Sequence, residues 1–170
     1  MDSKTYPRAQ GAIERAVFAG GCFWGMEDLL RKLPGVVETT VGYTGGTTPH
    51  PTYETVRRGD TGHTESIEIK FDPERISYRE LLRWFFRVHD PTTLNRQGGD
   101  RGSQYRSAIF YENENQREAA EEVKLEAQAR WQQPIVTQVA ALDSFYSAEG
   151  YHQDYLEKNP GGYTCHWVRD

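Results

Sequence analysis

The sequence predicts an α+β fold in a single domain, with helices covering one face of a sheet. Its 170 residues are enough to bury a core without disulfides or metals. Apolar patterns of period two and of period 3.6 alternate in the order β-α-β-β-α-β, which is the order of a split β-α-β motif. No internal repeat, low-complexity tract or interdomain linker interrupts that order.

The first predicted elements flank a pair of glycines. A short apolar strand at residues 15–19 runs into Gly20-Gly21, and a helical pattern begins directly afterwards at Cys22. Its apolar residues recur at the spacings i, i+3, i+4 and i+7, and Pro34-Gly35 ends it. Alternating residues from Val37 to Tyr43 then predict a second strand.

The second half of the chain repeats this alternation. A third strand at residues 67–71 precedes Ser77 and Glu80, whose spacing is that of a capping box. The helix that this box opens stops before Pro91, and a further amphipathic helix is predicted at residues 114–131. The other predicted segments are a Gly/Thr/Pro loop at 44–62, a polar loop at 92–104, strands at 105–111 and 135–142, and a short helix at 149–157.

The amino-acid composition and the net charge limit which classes of function the sequence supports. The chain is 36% hydrophobic and 26% charged, with a mean hydropathy of -0.79, which is typical of a soluble globular protein. The net charge of -5, spread over mixed acidic and basic residues, argues against a nucleic-acid binder. No apolar stretch approaches the roughly 20 residues that span a membrane. The polar segment from Met1 to Gln10 lacks a signal-peptide pattern, so we expect a cytoplasmic protein.

The two cysteines are the first candidates for chemistry. Cys22 lies where a strand, two glycines and a helix N-terminus meet, and there the backbone N–H groups and the helix dipole favour a thiolate. Cys165 lies in a glycine-rich segment near the C-terminus. In a cytosolic protein such a pair favours a redox role, whereas buried core packing for Cys22 and an incidental role for Cys165 remain alternatives.

Residues near Cys22 in sequence, and one on the third strand, extend this hypothesis. Phe23 and Trp24 could line an apolar pocket for a methyl or thioether group, or simply pack in the core. Glu65 shares strand parity with the apolar residues of the third strand, so burial would raise its pKa and make it a general acid. The alternative is a solvent-facing position at a frayed strand end. Tyr53 and Tyr105 flank long loops and could donate hydrogen bonds to an oxyanion.

Other cofactor classes lack their signatures in this sequence. The five histidines show no zinc-ligand spacing, and neither a Walker A loop nor a G-x-G-x-x-G motif is present. We therefore expect no metal and no bound nucleotide.

Several segments, taken together and in order, are similar to the A-class methionine sulfoxide reductases. The similarity covers roughly residues 14–166 and is highly specific as an ordered set. The matching segments are Gly20-Gly21-Cys22-Phe23-Trp24-Gly25, Gly42-Tyr43-Thr44-Gly45-Gly46, Pro51-Thr52-Tyr53, Gly62-His63-Thr64-Glu65, His89-Asp90-Pro91, Asp100-Arg101-Gly102-Ser103-Gln104-Tyr105-Arg106-Ser107, His152-Gln153-Asp154-Tyr155 and Gly162-Tyr163-Thr164-Cys165.

This resemblance implies roles for individual residues. Cys22 would be the nucleophile, Glu65 the proton donor to the sulfoxide oxygen, and Cys165 the resolving cysteine. The remaining implied site residues are Tyr53 and Tyr105 on that oxygen, Phe23 and Trp24 on the substrate methyl, Asp100 in the polar network, and His152 and Tyr155 at the rim.

The resemblance also implies a fold and partners. The fold would be an α+β plait, a ferredoxin-like split β-α-β core with long coil extensions. Its core would span about 14–158, and a mobile tail at 159–170 would carry Cys165. The substrates would be methionine-S-sulfoxide, free or in proteins and peptides, and the protein would be a monomer without a bound cofactor. Some family members carry a further cysteine, which this sequence lacks, so a two-cysteine cycle is implied with thioredoxin, or dithiothreitol in vitro, as reductant.

The residues alone leave three other functions open. A cysteine hydrolase would use Cys22 activated by a histidine such as His152, and it would have no use for Cys165. A non-catalytic module would bind methionine-containing peptides through Phe23 and Trp24 without changing the thiols. A thiol peroxidase would consume peroxide instead of sulfoxide.

Overall fold

A computed structural model describes residues 13–169 of the chain. The segment from Met1 to Gln10, for which we expected no signal peptide, lies outside the described residues. The strands are β1 (Glu14–Gly20), β2 (Val36–Thr44), β3 (Thr64–Phe71), β4 (Arg96–Gln97), β5 (Asp100–Arg101), β6 (Ser107–Tyr111), β7 (Gln138–Ala141) and β8 (Tyr146–Ser147). The α-helices are α1 (Phe23–Leu30), α2 (Tyr53–Arg57), α3 (Tyr78–Val88), α4 (Glu114–Gln128) and α5 (Tyr155–Lys158).

A six-stranded mixed sheet forms the centre of the molecule, in the strand order β7-β6-β1-β3-β2-β8. The central strand β1 pairs antiparallel with β3 and β6, whereas β6 and β7 pair in parallel. The main core lies between one face of this sheet and the three longer helices α1, α3 and α4. A smaller cluster on the opposite face includes Phe110 and Phe145. The predicted α+β class, with helices on one face, is confirmed.

Local sequence signals explain the two helices that complete the core. Ser77 and Glu80 form the predicted capping box, in which each side chain accepts a hydrogen bond from the other residue's backbone N–H. The predicted apolar stripe of α4 is buried, and the helix ends at Gln128, three residues before the predicted end at Trp131.

Strand β2 departs from the predicted alternation at its start. A β-bulge between Val36 and Glu38 shifts the register, so Val37 is 58% exposed and Val36 packs against the core. Beyond the bulge the alternation holds, because Val41 and Tyr43 are fully buried. The bulge therefore takes Val37 out of the alternation that the sequence predicted from Val37 to Tyr43.

The two expected loops contain regular structure. Helix α2 lies within the first and is capped by Thr52, whose hydroxyl accepts from the backbone N–H of Thr55. The β4–β5 hairpin lies within the second, turning at Gly98-Gly99, and a short 3₁₀ helix at Ser103–Tyr105 follows it. Consequently β6 begins at Ser107, two residues later than predicted.

The last predicted elements are shorter than expected. Strand β7 covers only Gln138–Ala141 of the predicted 135–142. The predicted helix at 149–157 is broken into a 3₁₀ turn at Gly150–His152 and helix α5, because Asp154 between them has a left-handed backbone with φ 54°. Between residues 13 and 169, no helix is both long and apolar enough to cross a bilayer.

Candidate active site

Cys22 lies at the sharp junction between β1 and α1. Gly21 has φ +96°, and a side chain there would come within 2.6 Å of the Gln97 side chain, so glycine is required on both counts. Cys22 is the N-terminal cap residue of α1, and its free thiol belongs to a residue that is only 7% exposed. The junction thus fixes the thiol at the end of a buried strand.

The ionisation of Cys22 differs from the sequence-based expectation of a favoured thiolate. Burial raises the pKa of the thiol strongly, and the nearby Glu65 carboxyl raises it further. The backbone N–H of Trp24 at the start of α1 lowers this pKa, as expected for a helix N-terminus, but does not offset the burial. The thiol is therefore neutral in the resting site.

Glu65 has the buried position that strand parity predicted. It is 2% exposed, and its carboxyl Oε1 accepts a hydrogen bond of 3.0 Å from the backbone N–H of Phe23. Burial raises the pKa of Glu65 to about 8, against the lowering effect of the Phe23 N–H and with a further rise caused by Asp100. At neutral pH this carboxyl is mostly protonated, so the frayed, solvent-facing alternative is wrong.

A small cavity of about 70 Å³ brings most of the predicted site residues together. Such a volume has room for a small functional group and not for a large cofactor. Its walls come from the start of α1, α2, β3, β5, the 3₁₀ helix at Ser103–Tyr105 and the C-terminal segment. The lining residues are Cys22, Phe23, Trp24, Tyr53, Glu65, Asp100, Tyr105 and Tyr163.

The two phenols on the cavity wall are protonated. Burial raises the pKa values of Tyr53 and Tyr105, and the neighbouring Glu65 raises both further. Each hydroxyl is therefore available as a hydrogen-bond donor inside the cavity.

Glu149 positions one of these phenols and was missed by the sequence reasoning. One carboxylate oxygen accepts a hydrogen bond from the backbone N–H of Tyr53 at 3.0 Å. The other accepts from the Tyr43 hydroxyl at 2.8 Å. No local pattern marks Glu149, because both of its partners are distant in sequence.

Trp24 is fixed from behind by two residues that we expected at the rim of the site. Its indole Nε1 donates to Nδ1 of His152 at 3.0 Å, and its ring stacks on Tyr155 with the centroids 3.9 Å apart. His152 is 1% exposed, and neither residue lines the cavity. Both residues thus contact Trp24 outside the cavity lining, and their place at the rim of the site stays a prediction.

The same contact bears on the cysteine-hydrolase hypothesis. Nδ1 of His152 accepts the indole hydrogen bond, and buried Nε2 has no hydrogen-bond partner. Burial lowers the pKa of His152. The ring is therefore a neutral support for Trp24, and His152 is not placed as a base for Cys22.

Glu27 ties the segment that carries His152 to α1. This buried carboxyl accepts from the Thr39 hydroxyl at 2.7 Å and from the backbone N–H of Asp154 at 2.8 Å. Burial raises the pKa of Glu27 to about 7. The residue had no role in our sequence-based predictions.

Cys165 and its surroundings form the outer part of the site. The half-buried thiol lies 3.7 Å from the carbonyl oxygen of Gln97, to which it donates, on the β4–β5 hairpin. Asp100 on the same hairpin accepts a 3.2 Å hydrogen bond from the Tyr163 hydroxyl. Tyr163 lines the cavity and was quoted only as part of a motif, although its position two residues before Cys165 was a usable signal.

The pKa of the Cys165 thiol is shifted in the same direction as the pKa of the Cys22 thiol. Burial raises the pKa of Cys165, and Asp100 raises it further, while the Tyr163 hydroxyl lowers it. Asp100 and Cys165 also raise the pKa of Cys22, so the two thiols lie within electrostatic range of each other. Across residues 13–169, no cluster of His, Cys, Asp and Glu side chains has a geometry that could hold a metal ion.

Comparison with known proteins identifies what the chain is similar to. A family model described as peptide methionine sulfoxide reductase matches residues 14–170. The peptide methionine sulfoxide reductase MsrA of Leifsonia xyli subsp. xyli is 56% identical over 158 residues, which are 92% of this chain and 91% of that protein.

Solved structures agree with the sequence comparison. Mxr1 from Saccharomyces cerevisiae in reduced form superposes with a TM-score of 0.90 at 39% identity, covering 99% of each chain. Mxr1 from the same organism in complex with Trx2 gives a TM-score of 0.66 at 26% identity, again over 99% of each chain.

Proposed function

Because the chain belongs to the peptide methionine sulfoxide reductase family, we propose that the cavity at Cys22 is where it reduces methionine sulfoxide. The activity is the thiol-dependent conversion of methionine-S-sulfoxide to methionine. One observation carries the assignment of the site. A buried thiol, a carboxyl that is protonated at neutral pH and two phenol donors meet in a cavity of about 70 Å³.

The cavity walls divide by chemistry into an apolar part and a proton-donating part. Phe23 and Trp24 accommodate the substrate methyl group, because aromatic faces replace its hydration shell. Tyr53, Tyr105 and the protonated Glu65 surround the sulfoxide oxygen, which accepts hydrogen bonds. This arrangement orients the sulfur toward Cys22 and distinguishes a sulfoxide from a thioether, which has no such oxygen.

The first chemical step transfers oxygen from the substrate to the enzyme. The Cys22 sulfur attacks the sulfoxide sulfur while Glu65 donates its proton to the sulfoxide oxygen, since an unprotonated oxygen is a poor leaving group. The hydroxyl group then moves from the substrate sulfur to the Cys22 sulfur as the transient sulfur–sulfur bond breaks, so methionine departs and Cys22 becomes a sulfenic acid. The hydroxyl proton of this product comes from Glu65, and the proton lost by the Cys22 thiol restores Glu65, so the step balances.

The pKa of the Cys22 thiol depends on the charge of the Glu65 carboxyl. A charged Glu65 opposes the Cys22 thiolate, and a neutral Glu65 removes that opposition. Protonation of Glu65 thus serves twice, supplying the proton for the oxygen and easing ionisation of the thiol. The Trp24 backbone N–H provides a hydrogen bond for the sulfur as its charge develops.

The second step regenerates the enzyme. The Cys165 thiol condenses with the sulfenic acid of Cys22, forming a disulfide and releasing water, and thioredoxin reduces this disulfide by thiol exchange. The β4–β5 hairpin supports this pairing, because its residue Gln97 packs against Gly21, next to Cys22, and accepts a hydrogen bond from the Cys165 thiol. The solved complex of Mxr1 with Trx2 supports thioredoxin as the physiological reductant, with dithiothreitol as a substitute in vitro. No bound cofactor takes part in this scheme.

Finer features of the architecture belong to the same proposal. The antiparallel order β6-β1-β3-β2, with α1 between β1 and β2 and α3 between β3 and β6, supports a ferredoxin-like split β-α-β plait. We further propose one catalytic domain with its core at 14–158 and a tail at 159–170 that moves during the cycle. The lack of helix or strand between 159 and 169 supports this mobility. A cytoplasmic monomer is the proposed working form.

The decisive experiment uses fully reduced protein and a peptide that contains methionine sulfoxide, without any reductant. Methionine is quantified, and the cysteines are mapped by mass spectrometry. We expect about one equivalent of methionine together with a Cys22–Cys165 disulfide. No methionine and two free thiols would overturn the proposal.

A further inference from the structure

In the C-terminal segment, the buried side chain of His166 has no role in the proposed mechanism. His166 directly follows Cys165 and is 7% exposed, whereas Trp167 and Val168 after it are exposed. A histidine buried in this way next to an accessible stretch requires specific partners, since an unpaired imidazole nitrogen is costly to bury.

The partners of His166 connect the tail to the nucleophile junction. Nε2 lies 2.7 Å from the carbonyl oxygen of Gly20, two residues before Cys22. Because a carbonyl only accepts, Nε2 carries the proton and donates. The neutral ring then has its lone pair on Nδ1, which lies 3.9 Å from the Sγ atom of Cys165. One imidazole thus contacts both the Gly20–Cys22 turn and the resolving thiol.

The neutral form of this ring is stable at physiological pH. Burial lowers the pKa of His166 to about 4, and Arg169 lowers it further, against the hydrogen bond to Gly20. In this conformation the proton on Nε2 and the lone pair on Nδ1 are therefore both present at neutral pH.

Helix α1 is shaped to receive this ring. A β-carbon at Gly25 would lie 2.3 Å from His166 Nδ1 and 2.5 Å from the hydroxyl oxygen of Thr164. Gly25 has an ordinary helical backbone, where alanine is the more favourable residue by about 1 kcal/mol, so the close approach of the tail is the physical reason for glycine. The Thr164 hydroxyl also accepts from the backbone N–H of His166 at 3.1 Å.

We propose that His166 is the positioning residue of the resolving step, anchoring the segment around Cys165 to the Gly20 carbonyl and orienting its thiol toward the oxidised Cys22. The inference rests on the function proposed above. In the step that it serves, the sulfur–sulfur bond forms as the sulfur–oxygen bond of the Cys22 sulfenic acid breaks. The Cys165 thiol proton leaves with the hydroxyl group as water, so no further oxidant is needed.

The test separates the two chemical steps in rapid-quench experiments with the full chain and a methionine sulfoxide peptide. Methionine release reports the step at Cys22, and mass spectrometry of the quenched protein reports the disulfide. His166→Phe keeps a planar aromatic ring, slightly larger than imidazole, and removes both nitrogens. We expect disulfide formation to slow by about 10- to 100-fold, as for a misplaced reacting group, while methionine release stays within about twofold of wild type.

Two further variants separate positioning from simple loss of structure. His166→Gln retains an N–H donor for the Gly20 carbonyl, and we expect it to recover most of the disulfide rate. Gly25→Ala leaves the tail sequence intact but pushes against His166, and we expect it to slow the disulfide step as His166→Phe does. Gly150→Ala is the matched control, because a β-carbon there has no neighbour within 4 Å.

The outcomes distinguish this proposal from the proposed function. Wild-type disulfide rates in both His166→Phe and Gly25→Ala would overturn the role of His166, as would an equal slowing of methionine release and disulfide formation. If wild-type protein forms methionine but no Cys22–Cys165 disulfide, the proposed cycle itself fails, and the role of His166 fails with it.

Discussion

The two cysteines lie in contrasting parts of the molecule. Cys22 lies between the buried end of strand β1 and a helix, and it is only 7% exposed. Cys165 lies half-buried in a segment without helix or strand, between the exposed residues Tyr163 and Trp167. The described end of that segment is held by the backbone N–H of Arg169, which donates to the carbonyl oxygen of Arg87, and by the Arg87 side chain, which donates to the carbonyl oxygen of Arg169.

This contrast separates two physical requirements of the reaction. In the proposed mechanism, oxygen transfer needs a dry site, because burial keeps Glu65 protonated and strengthens every hydrogen bond to the sulfoxide oxygen. Exchange with a reductant needs an accessible sulfur on a segment that opens at low free-energy cost. The chain meets the first requirement in its core and the second at its periphery.

The largest effect is expected from changing the core thiol. Cys22→Ser should abolish methionine formation, because a hydroxyl is far less nucleophilic and cannot form the sulfenic acid. Methionine is measured by chromatography after incubation of the reduced protein with a sulfoxide peptide. Normal turnover by this variant would remove Cys22 from the mechanism.

Changing the peripheral thiol should break only the second half of the cycle. Cys165→Ser is expected to release about one equivalent of methionine and then stop with thioredoxin as reductant, since the sulfenic acid at Cys22 has no resolving partner. Steady-state and single-turnover assays of the same preparation measure the two effects. Full thioredoxin-driven cycling would show that Cys165 does not resolve.

Glu65→Gln tests whether burial of the core site serves catalysis. Loss of the proton donor should slow single-turnover methionine release by about 10²- to 10⁴-fold, the range typical of a general acid. The matched control is Glu68→Gln on the same strand, because Glu68 pairs with Arg15 and does not line the cavity. Equal rates in the two variants would contradict the assignment of Glu65.

The same substitution should stabilise the fold at high pH. The pKa of Glu65 is raised from 4.5 to about 8, so the folded state retains a proton that the unfolded chain loses between these values. Wild-type stability therefore falls as pH rises through this window, and Glu65→Gln, which has no proton to lose, avoids the loss. We expect the variant to gain a few kcal/mol over wild type at pH 9 and little at pH 4.5.

Urea unfolding of both proteins at these two pH values measures the difference, in which titrations common to both proteins cancel. A stability difference that does not change with pH would contradict a buried, protonated Glu65.

The core half of the site could be predicted from local sequence patterns. The strand, the glycine pair and the helix placed Cys22, Phe23 and Trp24, and strand parity placed Glu65 inside. The ionisation of Cys22 could not be predicted in the same way. The helix N-terminus is a local signal, whereas the burial that outweighs it comes from the whole fold.

The peripheral half depends on contacts that no window of sequence contains. Glu149 bonds to the Tyr43 hydroxyl across 106 positions, and His166 bonds to the Gly20 carbonyl across 146. Helix α2 escaped prediction because its five residues carry no apolar periodicity, although Thr52 caps it. The bulge at Val36 and the left-handed Asp154 interrupted patterns that were otherwise regular.

The smallest expected effect concerns the support behind Trp24. His152→Phe leaves the indole N–H of Trp24 without an acceptor, which is destabilising, but it also removes the unpaired Nε2 of His152, which is stabilising. These two effects oppose each other, so the free energy of unfolding should change by less than about 1 kcal/mol. The indole keeps its stack on Tyr155 but loses the hydrogen bond that helps to fix its orientation in the cavity wall. The KM for a sulfoxide peptide should therefore rise, up to about tenfold for the loss of one hydrogen bond, while single-turnover methionine release at saturation changes little.

Steady-state kinetics and urea unfolding of the same preparation check both parts. A fall of the saturated rate comparable to that of Glu65→Gln would instead place His152 among the groups that act on the sulfoxide, on the core side of the comparison.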